Sequence, residues 1–248
     1  EPYRSSELAL EWRLIGAIKD RTDDLPDVLE RAAKHLESHE APSLRGRYGS
    51  VIGGESGLVE ARRALAASRT PTILYQVATL TADEVEAVEL LREAVTLARE
   101  TGNHHEFVRG ARQLARRLAD RGEFIEAADL VAQALAIIDE RGLKNGAVRR
   151  GVIFDLAAYR WLTGESVGVR ELVRNEAEAL GPGQKRIGFW VLLAAMAAAH
   201  DDGSAGDDKI RAMTEIESAG NPAVSALHRV RQMLQRDDKW GALRVAAT

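Results

Sequence analysis

Apolar and small side chains along this chain fall three and four positions apart far more often than two. In "ARQLARRLADRGEFIEAADLVAQAL" they occupy Ala111, Leu114, Ala115 and Leu118, then Phe124, Ala127, Val131, Ala134 and Leu135 after a glycine at 122. Both halves have the period of an amphipathic helix, and Gly122 breaks them into a hairpin. Large and small residues alternate on the buried side, so two antiparallel helices can press their faces together. The same period continues over most of the sequence. It predicts helices near 5–20, 24–38, 43–53, 55–68, 71–80, 82–100, 104–121, 123–141, 146–162, 166–179, 185–200, 207–219, 222–236 and 239–246.

The pattern also repeats at longer range. Leu74, Tyr75 and Ala78 precede Thr81, and Ala87, Leu91, Ala94 and Val95 follow it. Ala87 to Ala127, Leu91 to Val131 and Ala94 to Ala134 are each 40 residues. Downstream, Leu156, Ala157 and Trp161 precede Gly164, with Val169 and Val173 beyond. The interval from Val131 to Val173 is 42 residues, and from Val173 to Ile216 it is 43, the weakest match. A fixed period of this size marks a stack of two-helix units, each covering the apolar flank of its neighbour.

Helix-start signals agree with these divisions. "TADE" offers Thr81 as an N-cap with Glu84 three residues on, and "NHHE" offers Asn103 with Glu106. "NP" places Pro222 at a first helical position after Asn221, and "GPG" at 181–183 stops one helix before the next.

The small residue at Ala115, the bulky Leu118, the turn glycine at 122, and then Phe124, Ala127, Val131 and Ala134 resemble the tetratricopeptide repeat. Tyr75, Ala87, Leu91 and Ala94 follow it less completely. The resemblance covers roughly Pro42 to Ala219 and is strong over Pro71 to Val173. Two features depart from the family: the period is near 40 rather than about 34, and the best unit lacks the proline that commonly ends a repeat. Longer units of this kind are similar to those in the sensor arms of large bacterial transcription regulators.

The resemblance implies an all-α fold, a right-handed superhelical solenoid of antiparallel helix pairs. The expected organisation is an N-terminal helical pair over 1–41, a repeat array over 42–219 and C-terminal capping helices over 220–248. In the family, the first helix of each pair lines a concave groove that holds a partner. Counting from Ala115, that set is Arg109, Arg112, Gln113 and Arg116. Gln76 and Thr79 take matching positions in one neighbouring unit, and Phe154, Asp155, Ala158 and Trp161 in the other. Arg109, Arg112 and Arg116 share a helix face. Their guanidinium groups suit a carboxylate, a phosphate or an acidic peptide. Glu106, Asp120 and Glu123 offer the competing use of these arginines, as an internally paired solvated face.

Composition narrows the partner classes. Aromatics are only 5% of residues, which favours close-packed, alanine-rich helices over extensive sheet. The net charge of −4 argues against a dedicated nucleic-acid binder. The absence of cysteine excludes disulfides, thiol catalysis and cysteine-ligated metals. It also fits a cytoplasmic protein. The chain opens at Glu1 without methionine or a signal pattern, consistent with a processed or excised segment. "GFWVLLAAMAAA", 188–199, is too short to cross a bilayer and reads as a buried helix.

Candidate chemistry adds little. "GRYGSVIGGESG", 46–57, lacks the lysine of a phosphate-binding loop and the spacing of a dinucleotide fingerprint or a nucleophile elbow. It reads instead as a degenerate helix pair. Leu44, Tyr48 and Ile52 lie on one face, Gly53 and Gly54 turn the chain, and Gly57, Ala61, Ala64 and Leu65 form the second face. Its glycines also suit a flexible joint.

His35 and His39 have a zinc-compatible spacing but no third ligand in register. His104 and His105 belong to a loop and first turn. The pairs Asp23–Asp24, Asp207–Asp208 and Asp237–Asp238 fall at helix boundaries and complement helix dipoles. No cofactor or metal is implied.

The expected function is a non-catalytic scaffold binding a protein or peptide partner, such as one with an acidic segment, in bacterial regulation or signalling. The alternative is a sensor domain of a transcription regulator that takes a small anionic ligand. An enzymatic site in the "HDDGSAGDD" loop, His200 to Asp208, is a third reading. Homo-oligomerisation is compatible with the sequence, and a membrane partner is not expected.

Overall fold

The computed structural model describes residues 2–20, 23–143, 146–165, 167–180, 184–198, 203–218, 224–225, 228–230 and 232–233. Among them there are α-helices and no strand. The helices are α1 (Pro2–Asp20), α2 (Leu25–Ser38), α3 (Pro42–Ile52), α4 (Gly54–Ala67), α5 (Pro71–Leu80), α6 (Glu84–Glu100), α7 (His104–Asp120), α8 (Phe124–Arg141), α9 (Gly146–Leu162), α10 (Val167–Ala179), α11 (Gln184–Ala198) and α12 (Gly203–Ser218). The chain forms two compact units, Glu1–Arg117 and Leu118–Thr248, divided near the end of α7.

In the first unit, α1 packs on α2 and α3, α3 on α4 and α5, α4 on α5, and α5 on α6. Leu14, Val28, Ala32, Leu36, Ala41 and Leu44 form a core between the first three helices. Ile73, Leu74, Val77 and Ala78 of α5 are buried, as are Ala87, Leu91, Ala94 and Ala98 of α6. In the second unit, α8 packs on α9, α9 on α10, α10 on α11, and α11 on α12. Each helix contributes one apolar face, and burial of these faces supplies most of the stability of such a stack.

The repeat register holds in the packing. Ala87, Ala127, Val169 and Ala212 are all buried, and so are Leu91, Val131, Val173 and Ile216 one turn further on. The long interval to Ile216 therefore comes from extra residues between helices, not from a change in the buried position.

The turns recur too. Gly102, Gly122, Gly142 and Gly164 all have positive φ. After each, the next amide returns to a carbonyl five residues back, as in Glu123 N–H to Leu118 O at 2.9 Å and Asn103 N–H to Ala98 O at 2.8 Å. This closure satisfies the last carbonyls of the preceding helix and needs a left-handed residue.

Most helix boundaries fall within a few residues of the expected ones. One cap is displaced. Asp83, not Thr81, caps α6: its Oδ1 accepts the Val85 and Glu86 amides at 2.9 and 3.1 Å. Thr81 instead closes α5 through its own amide to Val77 O, while its hydroxyl donates to Glu86 at 2.8 Å. Thr81 is thus engaged at the end of α5, and a carboxylate near the start of α6 also complements the helix dipole. Asp83→Ala should cost about 1 kcal/mol in urea unfolding, a typical price for a lost cap. At Asn103 the expected cap is present, with Oδ1 accepting the Glu106 amide at 3.3 Å.

Helix α12 begins at Gly203, so the latter part of the expected 200–208 loop is helical. His200, Asp201 and Asp202 lie outside the described residues, as do the "GPG" stop, the Asn221–Pro222 start and the helix expected over 239–246. Within 222–236, the described residues are helical.

Gly46 to Gly57 form a packed pair. Helices α3 and α4 are joined by Gly53 alone, at φ 63° and ψ −171°. Gly46, Gly49 and Gly57 are buried, as a close helix contact requires, and not as a flexible joint would have them. A Cβ on Gly49 would lie 2.5 Å from the Gly57 carbonyl oxygen, and one on Gly57 would collide with the Gly49 oxygen.

Candidate partner-binding face

The arginine-bearing face of α7 is built on α5. Tyr75 is half-buried at the contact, and the Arg109 guanidinium lies 3.9 Å from the centre of its ring. Gln113 Nε2 donates to the Tyr75 hydroxyl at 3.2 Å. Arg109 also approaches the Glu106 carboxylate at 3.7 Å. Stacking over an aromatic ring restricts the long arginine chain while leaving edge N–H donors for a planar anion. Arg112 is half-buried and Arg116 exposed, and both make contacts within the chain. Arg117 points elsewhere: its Nη1 donates to Glu84 Oε2 of α6.

The other expected positions divide by burial. Thr79 is exposed, with its hydroxyl donating back to the Gln76 carbonyl at 2.9 Å. Gln76 is only 1% exposed and offers no surface to a partner. Its Oε1 has no hydrogen-bond partner and occupies the space left by the missing side chain of Gly46. In the second unit, Asp155, Ala158 and Trp161 are buried and likewise present no side-chain surface. Phe154 is half-buried and meets Phe189 edge-on at 5.5 Å. Helical spacing groups these positions by helix face. It did not resolve which positions sink into the contact with the adjoining helix. Tyr75, read from sequence only as a packing residue, is the support of the arginine face; its half-polar side chain was the available signal.

Charge is sorted by helix. Helix α7 carries Arg109, Arg112, Arg116 and Arg117 against Glu106 and Asp120, and α9 carries Arg149, Arg150 and Arg160 against Asp155. Helices α6 and α8 are the reverse: α6 has Glu84, Glu86, Glu89, Glu93 and Glu100 against Arg92 and Arg99, and α8 has Glu126, Asp129, Asp139 and Glu140 against Arg141. Several second-helix carboxylates are tied to neighbouring helices. Arg62 of α4 grips Glu86 of α6 through both oxygens, at 2.7 and 2.9 Å. Arg69 bonds Glu93 similarly and holds its carboxyl below the ordinary pKa. Arg149 reaches Asp139 and Glu176, each at 2.8 Å, and Asp139 above all raises its pKa.

The remaining candidates do not converge. The His35 and His39 rings stack at 4.3 Å, and His39 has left the helix as its extended C-cap. Among the described residues no three histidine or acidic groups could share a metal. Asp24 precedes α2 and lies 3.9 Å from Arg13. The side chains of Asp207 and Asp208 are not described, and Asp237–Asp238 lie outside the described residues.

A cavity of about 440 Å³ is lined by Glu40, Pro42, Arg45, Arg63, Ala66 and Ala67. Its cations are already committed: Arg45 bonds Glu60 and the Leu36 carbonyl, and Arg63 bonds the same Glu60.

Repeated helix pairs with matched burial and matched glycine turns define a helical-repeat protein of the tetratricopeptide-like class. Among solved structures, the chain is similar to Pseudomonas aeruginosa PilF, with a TM-score of 0.67 at 15% identity, over 92% of this chain and 99% of that one. It also matches a Podosopora anserina putative kinesin light chain with nearly identical TPR-like repeats, at 20% identity and a TM-score of 0.46, over 94% and 98% of the two chains. The likeness to PilF carries the fold. No family model and no curated protein matches the sequence. Among the described residues, no helix is long and apolar enough to cross a membrane.

Proposed function

We propose that this chain is a non-catalytic scaffold that binds an acidic segment of a protein partner on the exposed face of α7. The observation that carries the reading is the arginine face itself, with Arg109 set over Tyr75 and Gln113 fixing the tyrosine hydroxyl. Arg109, Arg112 and Arg116 recur along one side of the helix, in line with an extended or helical acidic segment. Thr79 adds an exposed polar group on α5. A packed, repetitive surface of this kind favours extended recognition.

A small-anion sensor draws less support, since Arg45 and Arg63 at the described cavity are both already paired with Glu60. The test is affinity capture with the wild-type chain beside Arg112→Glu/Arg116→Glu, both checked for helicity. Loss of the captured partner supports the assignment. Recovery of the same partners by both proteins refutes it.

A further inference from the structure

Within the first unit, contacts between first helices set α1, α3, α5 and α7 side by side in one layer. Glu11 of α1 accepts from Ser43 and Arg47 of α3, at 2.8 and 3.3 Å. Gln76 of α5 lies against Gly46 of α3, and Arg109 and Gln113 of α7 meet Tyr75 of α5. One side of this layer is core, where Leu14, Leu44, Val77 and Leu114 are buried. The opposite side follows from helical geometry, at about 100° per residue. Passing round each helix from its contact with the neighbour, away from the core, leads to Leu8 and Trp12 on α1 and to Ser43 and Ser50 on α3. On α5 it leads to Thr79, and on α7 to Arg112 and Arg116. Apart from half-buried Arg112, all of these are exposed.

This face changes chemistry from one end to the other. At α7 it is guanidinium, and in the middle Ser43, Ser50 and Thr79 supply hydroxyls. At α1 it is apolar: Leu8 is 58% exposed and Trp12 66%. They stand one helical turn apart, while Leu14 and Ala17 of the same helix are buried. Glu11 lies between them in sequence but is held by Arg47, so it does not charge the apolar end. A tryptophan beside a leucine in solvent marks a contact surface, and this one is continuous with the arginine face.

We infer that the partner segment held by the arginine face also carries a bulky apolar side chain, which docks on Leu8 and Trp12. The inference deepens the function proposed above and rests on it. Packed helices lie about 8–10 Å apart, so the three steps from α1 to α7 span about 25–30 Å. An extended chain covers about 3.3 Å per residue, which puts about eight residues between the apolar anchor and the acidic cluster. The segment therefore crosses the first helices as an extended chain. Eight residues of helix would cover only about 12 Å and fall short of α1.

The test is fluorescence anisotropy of the full chain with three labelled synthetic peptides. The first has two leucines, a glycine–serine spacer of about eight residues and four glutamates. The second replaces the leucines by serine, and the third shortens the spacer to about two residues. The first should bind at least about tenfold tighter than either of the others. Leu8→Ser/Trp12→Ser, checked for helicity, should lower the first peptide to the affinity of the second and leave the second unchanged. Arg112→Glu/Arg116→Glu should weaken all three. Equal affinity for the leucine and serine peptides, with both still weakened in the arginine variant, overturns the inference and leaves the acidic-segment reading standing. Equal affinity for the two spacer lengths, or sedimentation showing that the wild type self-associates through Leu8 and Trp12, also overturns it. Binding by no peptide, or binding indifferent to the arginine variant, overturns the proposed function and the inference with it.

Discussion

Gly57→Leu should destabilise the first unit by about 3 kcal/mol, near the upper end for overpacking a close contact. The obstacle is backbone, not a side chain that can turn aside. Gly49 and Gly57 face each other across α3 and α4, and a Cβ on either would press on the carbonyl oxygen of the other. Relief requires the two helices to separate, although only Gly53 joins them. Separation would in turn disturb α5, which packs on both. A glycine inside a helix costs about 1 kcal/mol against alanine, so retaining two at this contact is consistent with a gain in packing. Gly53→Ala is the contrasting substitution. Nothing lies within 4 Å of its added Cβ, so the cost is backbone strain alone: φ 63° with ψ −171° is a conformation that essentially only glycine adopts, and alanine there costs about 1–3 kcal/mol. Urea unfolding followed by circular dichroism would rank the two, with the leucine variant the weaker.

Reversing Arg112 and Arg116 should reduce affinity for an acidic partner by at least about 100-fold. A hydrogen bond to a charged group contributes roughly 1.5–3 kcal/mol, and each 1.4 kcal/mol is about tenfold in affinity. Losing two such contacts and adding two repelling charges exceeds that threshold even after solvent screening. Arg109→Glu should act in the same direction and also free Tyr75, whose ring it covers at 3.9 Å. The wild-type interaction should weaken as salt rises, because exposed charges are screened beyond about 8 Å at physiological ionic strength. Titration of the captured partner at two salt concentrations reads both effects.

Much of the architecture was legible because one physical signal was written many times. Helical period marked the faces, and the near-constant interval from Ala87 to Ala127 marked the repeat. Gly122 and its counterparts marked the turns by the backbone geometry only glycine adopts cheaply. Cap assignment was less legible: in "TADE" both Thr81 and Asp83 can accept amide bonds, and packing at the end of α5 decides between them.

The candidate face was legible only in part. Spacing placed Gln76, Asp155 and Trp161 beside Arg109 and Arg112, yet burial depends on how far the adjoining helix covers each face, which a single-helix pattern does not encode. The Tyr75–Arg109 stack joins residues from two helices and has no local signature. The exposed pair Leu8 and Trp12 is plain once burial is known. In sequence alone these residues pass for ordinary core positions.

The repeat register is tested most directly by equilibrium unfolding of Ala87→Leu and Ala127→Leu. Both alanines are fully buried at the same place in successive helix pairs. Each leucine should cost about 1–3 kcal/mol by overpacking, and the two losses should agree to within about 1 kcal/mol. A large loss from one substitution beside a neutral outcome from the other would show that the two positions occupy unrelated environments.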